Sequence, residues 1–142
     1  MATRAVVAVG TPREWHGRYV HNDGYPTAAG PKLLSIIEKQ FDGDAAAAAD
    51  FLVEQHPAGW SVLGETCYCH TPNPKAPQTY TAENVADSMV EWVYIIDTEQ
   101  CRIWVARNDV EEIDVEYAFE VWYDDGGPSS DFWSELEAPI EE

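Results

Sequence analysis

The sequence predicts an α+β domain, an antiparallel sheet with two central helices packed on one face, and three observations lead there. β-rich runs open the chain and return after residue 91, two stretches with helical apolar spacing lie between them, and residues 113–123 alternate apolar and polar side chains with period two. At 142 residues the chain fits one domain, 1–142, and its 45% hydrophobic content, with six Trp, seven Tyr and four Phe, is enough for a core of its own.

Taken in order, RAVVAVG (4–10) is a short β-rich run ended by Gly10, Thr11 and Pro12. WHGRYVH (15–21) resumes it before the turn residues of NDGYP (22–26), so the two runs form a first hairpin, with Gly24 free to take positive φ in the turn. Gly30 and Pro31 open PKLLSIIEKQF, where Leu33, Leu34, Ile37 and Phe41 make a helical stripe with proline in the first turn. Asp44 is placed to cap a second helix, AAAAADFLVEQH, which stops before Pro57 and Gly59. Residues 64–82 hold three prolines and little apolar periodicity, which predicts a long loop, with Thr81 capping a short helical turn through Val85. WVYIID (92–97) and RIWVAR (102–107) bracket Thr98, Glu99 and Gln100 as a second hairpin. One strand, 113–123, follows, with Ile113, Val115, Tyr117, Phe119, Val121 and Tyr123 toward the core.

Charge is distributed unevenly. Residues 1–82 hold 8 acidic and 6 basic side chains and net −2; residues 83–142 hold 18 acidic side chains against Arg102 and Arg107 alone and net −16. The C-terminal segment 108–142 carries 13 acidic and no basic residues. Binding to nucleic acid or to an anionic membrane needs cationic patches, so direct binding to either is excluded as an expectation. Along the C-terminal strand Glu112, Asp114, Glu116 and Glu120 occupy even positions, and carboxylates two residues apart recur at roughly 6.6–6.8 Å, twice the rise per residue. That is the order of spacing between phosphates along a nucleic-acid strand, so a carboxylate array of this kind fits the basic groove of a DNA-binding protein. Asp109, Glu111, Glu112, Asp114, Glu116, Glu120, Asp124 and Asp125 are the candidate contacts, with Trp122 beside Glu120 as an aromatic anchor. The same acidity also serves as a solubility device or a habit of a whole proteome, and net charge alone does not name a partner.

Other chemistry is sparse. Cys67, Cys69 and His70 in CYCH offer two thiolates and an imidazole to zinc, without a clear fourth ligand and without the common paired ligand spacing; packed thiols are the plain alternative, and no cofactor is expected. His21 and Asp23 form a possible acid/base pair, but Asn22, Asp23, Gly24 and Pro26 are what a turn requires. No nucleophile elbow and no phosphate-cradling glycine loop is present, so the expectation is a non-enzymatic interaction protein. No apolar run reaches the roughly 20 residues of a membrane span, and the N-terminus lacks the features of a signal peptide, which points to the cytoplasm. Three cysteines there argue for reduced thiols or a metal site before a disulfide framework.

The segments GRYVHNDGYPTAAG (17–30), EQHPAGWS (54–61), CYCH (67–70) and EWVYIID (91–97) together resemble an uncharacterised family of small proteins of actinobacteria and their phages, over roughly residues 2–107. The resemblance brings no activity with it, Asn22 stands where an aromatic is expected, and the acidic end lies beyond it. What it implies is a phage or mobile-element protein working inside a bacterial host cell. By analogy with small acidic phage proteins, that makes the expected function DNA-mimic inhibition of a host or defence protein, of the anti-CRISPR or anti-restriction type.

Overall fold

A computed structural model describes residues 3–11, 14–68, 72–73, 76, 79–81, 83, 85, 90–99, 102–109, 112–113 and 119–122. The fold is α+β, a mostly antiparallel sheet with two helices on one face. The strands are β1 (Ala5–Gly10), β2 (Trp15–Asn22), β3 (Trp60–Val62), β4 (Thr66–Cys67), β5 (Tyr80–Thr81), β6 (Trp92–Asp97), β7 (Arg102–Asp109), β8 (Glu112–Ile113) and β9 (Phe119–Trp122). Their order is β4-β3-β2-β1-β6-β7-β8, with β5 on β2 and β9 on β7.

Two pairings are parallel, β1 with β6 and β2 with β3, so the sheet is mixed where the sequence predicted only antiparallel neighbours. The reason is the return path of the chain. The helices and the segment after them carry the chain back across the sheet, and β6 enters beside β1 in the same direction. Central β1 and β6 are hydrophobic on both sides, as strands covered on both faces must be. Ala5, Val7, Trp92, Tyr94 and Ile96 join the helices in one core, whereas Val6, Ala8, Val93 and Ile95 join Trp15, Val85, Val90 and Ala106 in a second core on the reverse face.

Both long outer strands serve two partners along one edge. The N-terminal end of β2 pairs with β5 through His16 and Gly17, and its C-terminal end pairs with β3 through Val20 and Asn22. Likewise β7 pairs with β9 along Arg102 to Val105 and with β8 at Asn108 and Asp109.

Both hairpins, β1-β2 and β6-β7, lie where the alternation puts them. Helix α1 (Pro26–Ser35) starts five residues before the expected Pro31, with Pro26 in its first turn and Pro31 inside it. An early proline is tolerated because the first N–H groups of a helix have no partner to lose. Helix α2 (Ala45–Ala49) is capped as the sequence predicts, its Asp44 side chain accepting from Ala47 N at 3.1 Å. Each helix then widens into a π-turn, Ile36–Gln40 and Asp50–Glu54, where Phe41 N reaches back to Ile36 O at 3.2 Å and Gln55 N to Asp50 O at 2.9 Å.

Three further expectations change. Strands β4 and β5 replace parts of what read as loop, and β3 forms between the expected helix and loop, because each is a two- or three-residue piece too short to show a period. Thr81 does accept from Glu83 N at 3.3 Å, but from within β5. In the 22–26 turn the residue with positive φ is Asp23 (56°), and Gly24 is needed for space: a β-carbon there would stand 2.6 Å from Thr3 O. The predicted strand 113–123 is two separate pairings. Ile113 faces Asn108 and Phe119 faces Val105, three positions apart on β7, whereas an uninterrupted ladder would set them six apart.

Candidate functional site

Strand β2 organises the polar side chains, because its two faces meet different surroundings. Its even-numbered residues reach the helix side. His16 Nε2 and Glu54 Oε1 are 2.6 Å apart, and Arg18 donates from Nε to Val53 O at 2.7 Å and from its guanidinium to Thr79 Oγ1 at 2.6 Å. The second π-turn explains part of this. Its last amide is spent on Asp50 O, so Phe51 O, Leu52 O and Val53 O take side-chain donors: His56 Nδ1 at 2.6 Å, Trp60 Nε1 at 2.9 Å and Arg18 Nε. His56 is buried and packs between Phe51 and Trp60, with ring centroids 4.9 and 4.2 Å away. The HPAGWS step is therefore a helix C-terminal clasp, with His56 Nδ1 and Trp60 Nε1 both bonded to carbonyls of the π-turn.

The odd-numbered residues of β2 lie on the reverse face. Gly17 stands opposite Tyr80 of β5, and a β-carbon at Gly17 would be 2.4 Å from Val7 O, so only glycine fits. Tyr80 stacks on Tyr19 at 6.1 Å and 29°. The Tyr19 phenol and His21 Nδ1 are hydrogen-bonded at 2.7 Å, and Arg4 and Tyr68 lie close enough to act on the phenol electrostatically. Partial burial pushes the Tyr19 phenol above its usual range, against the opposing pull of Arg4, and burial alone raises Tyr80. Both phenols are neutral at pH 7. The Tyr19 hydroxyl and His21 Nδ1 share one hydrogen, and the tautomer of His21 sets which of them donates.

At the other end of β2 an open cleft of about 610 Å³ is lined by Gly10, Glu14, Trp15, His16, Thr81 and Glu83, among others. Trp15 is buried, and its Nε1 has no acceptor among the described residues.

Set against the sequence-predicted residues, the structure joins His21 to Tyr19, while Asp23 is an exposed turn residue with no bond to it. Cys67 is half-buried and packs against the helix-side core; Cys69 and His70 lie outside the described residues, and no group of three metal-ligating side chains occurs among those described. Of the acidic candidates, Asp109 pairs with Glu112 across the β7-β8 ladder, Glu120 pairs with Trp104, and Trp122 pairs with Arg102. Glu111, Asp114, Glu116, Asp124 and Asp125 lie outside the described residues. Sequence reasoning missed Arg4, Tyr19, Tyr68 and Tyr80 as a group. The available signal was the Y-x-H spacing on a strand, which puts Tyr19 and His21 on one face.

No protein-family model, no curated protein and no solved structure matches the chain.

Proposed function

We propose that this protein is a non-enzymatic interaction protein of phage origin that acts as a DNA mimic. Its acidic C-terminal stretch occupies the basic groove of a DNA-binding host or defence protein, in the manner of an anti-CRISPR or anti-restriction inhibitor. One observation carries the reading: all charge after Arg107 is negative, 13 carboxylates in 35 residues, while residues 1–107 net only −5. An acidity spread for solubility alone has no reason to be segregated. The position of β8 at the end of the strand order supports the reading, since an edge is where a partner has access. Asp109, Glu112 and Glu120 contribute along β7, β8 and β9, and Glu111, Asp114, Glu116, Asp124 and Asp125 extend the array, with Trp122 as anchor. Association is fast and salt-sensitive, because exposed charge is screened over roughly 8 Å at physiological ionic strength.

The test compares wild type with the combined variant Glu112→Gln, Asp114→Asn, Glu116→Gln and Glu120→Gln in capture from host lysate, with excess duplex DNA as competitor. Mimicry requires a DNA-binding protein retained by wild type alone and displaced by DNA and by salt. Equal capture by both chains would sink it.

A further inference from the structure

We infer that the cleft at the turn between β1 and β2 is a binding site for a small organic amine that also carries oxygen acceptors, the chemistry of an amino sugar or an amino alcohol.

Three segments build the cleft. Gly10 closes β1, Glu14, Trp15 and His16 lead into β2, and Thr81 and Glu83 come from β5 and the turn after it; all six line the same open space of about 610 Å³. That size suits a small organic molecule. Gly10 lets the turn close this tightly: its φ is +139°, and a β-carbon there would stand 2.4 Å from Glu14 O.

The two glutamates are held through their backbones. Glu14 N donates to Thr11 O at 3.2 Å and Glu14 O accepts from Thr11 N at 2.9 Å, while Glu83 N donates to Thr81 Oγ1 at 3.3 Å. Neither carboxylate has a hydrogen-bond or ion-pair partner among the described residues, and no Lys or Arg lines the cleft there. His16 brings a third carboxylate near through its 2.6 Å contact with Glu54. A cleft lined by charge of one sign concentrates ions of the other. These acids lie outside the acidic C-terminal segment, in a part of the chain that nets only −5. No group of three metal-ligating side chains forms among the described residues, so an extended organic cation fits the pair better than a metal ion.

A second observation points to the oxygen. Trp15 is 5% exposed, and its Nε1–H, which can only donate, has no acceptor among the described residues. A buried donor without an acceptor is costly and calls for one. Trp15 belongs to the cleft wall, so an occupant with a hydroxyl or carbonyl oxygen supplies it. The carboxylates accept and the indole donates, which matches an ammonium group and an oxygen on one molecule.

The experiment uses the full chain. The indole N–H resonances of its six Trp, assigned through the backbone, are followed by NMR during separate titrations with glucosamine, glucose and magnesium chloride at constant pH and ionic strength. The expected result is a saturable shift at Trp15 with glucosamine alone, the other indoles moving little. Glu14 and Glu83 are exposed, so Glu14→Gln and Glu83→Gln leave the fold intact; combined, they weaken glucosamine binding roughly tenfold or more, as loss of charge-assisted hydrogen bonds requires. The four-carboxylate variant of the C-terminal strand binds glucosamine unchanged, which separates this site from the mimicry reading. No saturation by glucosamine, equal binding of glucose, saturation by magnesium instead, a shift shared by all six indoles, or unchanged affinity in the double variant would overturn the inference.

Discussion

At the scale of single residues, the polar side chains are explained by what each backbone position needs. Trp60 and His56 of HPAGWS close carbonyls left open by the π-turn at Asp50–Glu54. Tyr94 does similar work at the other side of the core, donating to Gly24 O at 2.6 Å in a buried site and tying β6 to the 22–26 turn. Tyr19 and Tyr80 lend themselves to a pH test. Burial raises both phenols above the ordinary value of 10.0, so the folded state favours the neutral form. Their contribution to stability is present below that value and is lost as pH climbs from it through the raised folded value. Urea midpoints measured from pH 8 to 11.5 should therefore fall at the alkaline end, and the double variant Tyr19→Phe, Tyr80→Phe should fall less. An identical decline in both proteins would contradict the assignment.

Elements show what periodicity can and cannot reveal. The alternating run at 15–21 and the apolar run at 92–97 were legible as strands, and Asp44 as a cap, because each signal is local. The extent of α1 was not, since Pro31 looks like a start and only the packing of Pro26, Ala29 and Gly30 shows a turn before it. Strand β6 makes the point quantitatively. Ile96 faces the helices and Ile95 faces the reverse core, and both are fully buried. Replacing either by Ala should cost a similar amount, about 2–5 kcal/mol in denaturant unfolding. A sheet wetted on its reverse face would lose little at Ile95, so a much smaller loss there would show that the second core is not formed.

For the whole molecule, the segregated charge has a cost that does not depend on any partner. With net −18 the folded chain repels itself, and the repulsion is relieved when salt screens it. The thermal midpoint should rise from about 10 mM to 300 mM sodium chloride, and the combined variant Glu112→Gln, Asp114→Asn, Glu116→Gln, Glu120→Gln should start higher and rise less. A midpoint independent of salt in both would mean that the carboxylates stand too far apart to interact. The two ends of β2 differ in charge, since Arg4 acts on Tyr19 near one end while the cleft beside Trp15 is lined by Glu14 and Glu83 at the other.

The sequence by itself determined the α+β class, the two hairpins, the capped second helix and the segregation of charge, because period, capping chemistry and composition are properties of neighbours along the chain. Only the tertiary structure decided the parallel contact of β1 with β6, the second core behind the sheet, the break between β8 and β9, and the meeting of Arg4, Tyr19, His21 and Tyr80. These depend on which strands become neighbours and in what register. That outcome is set by burying both faces of the central strands at once, and no local pattern encodes it.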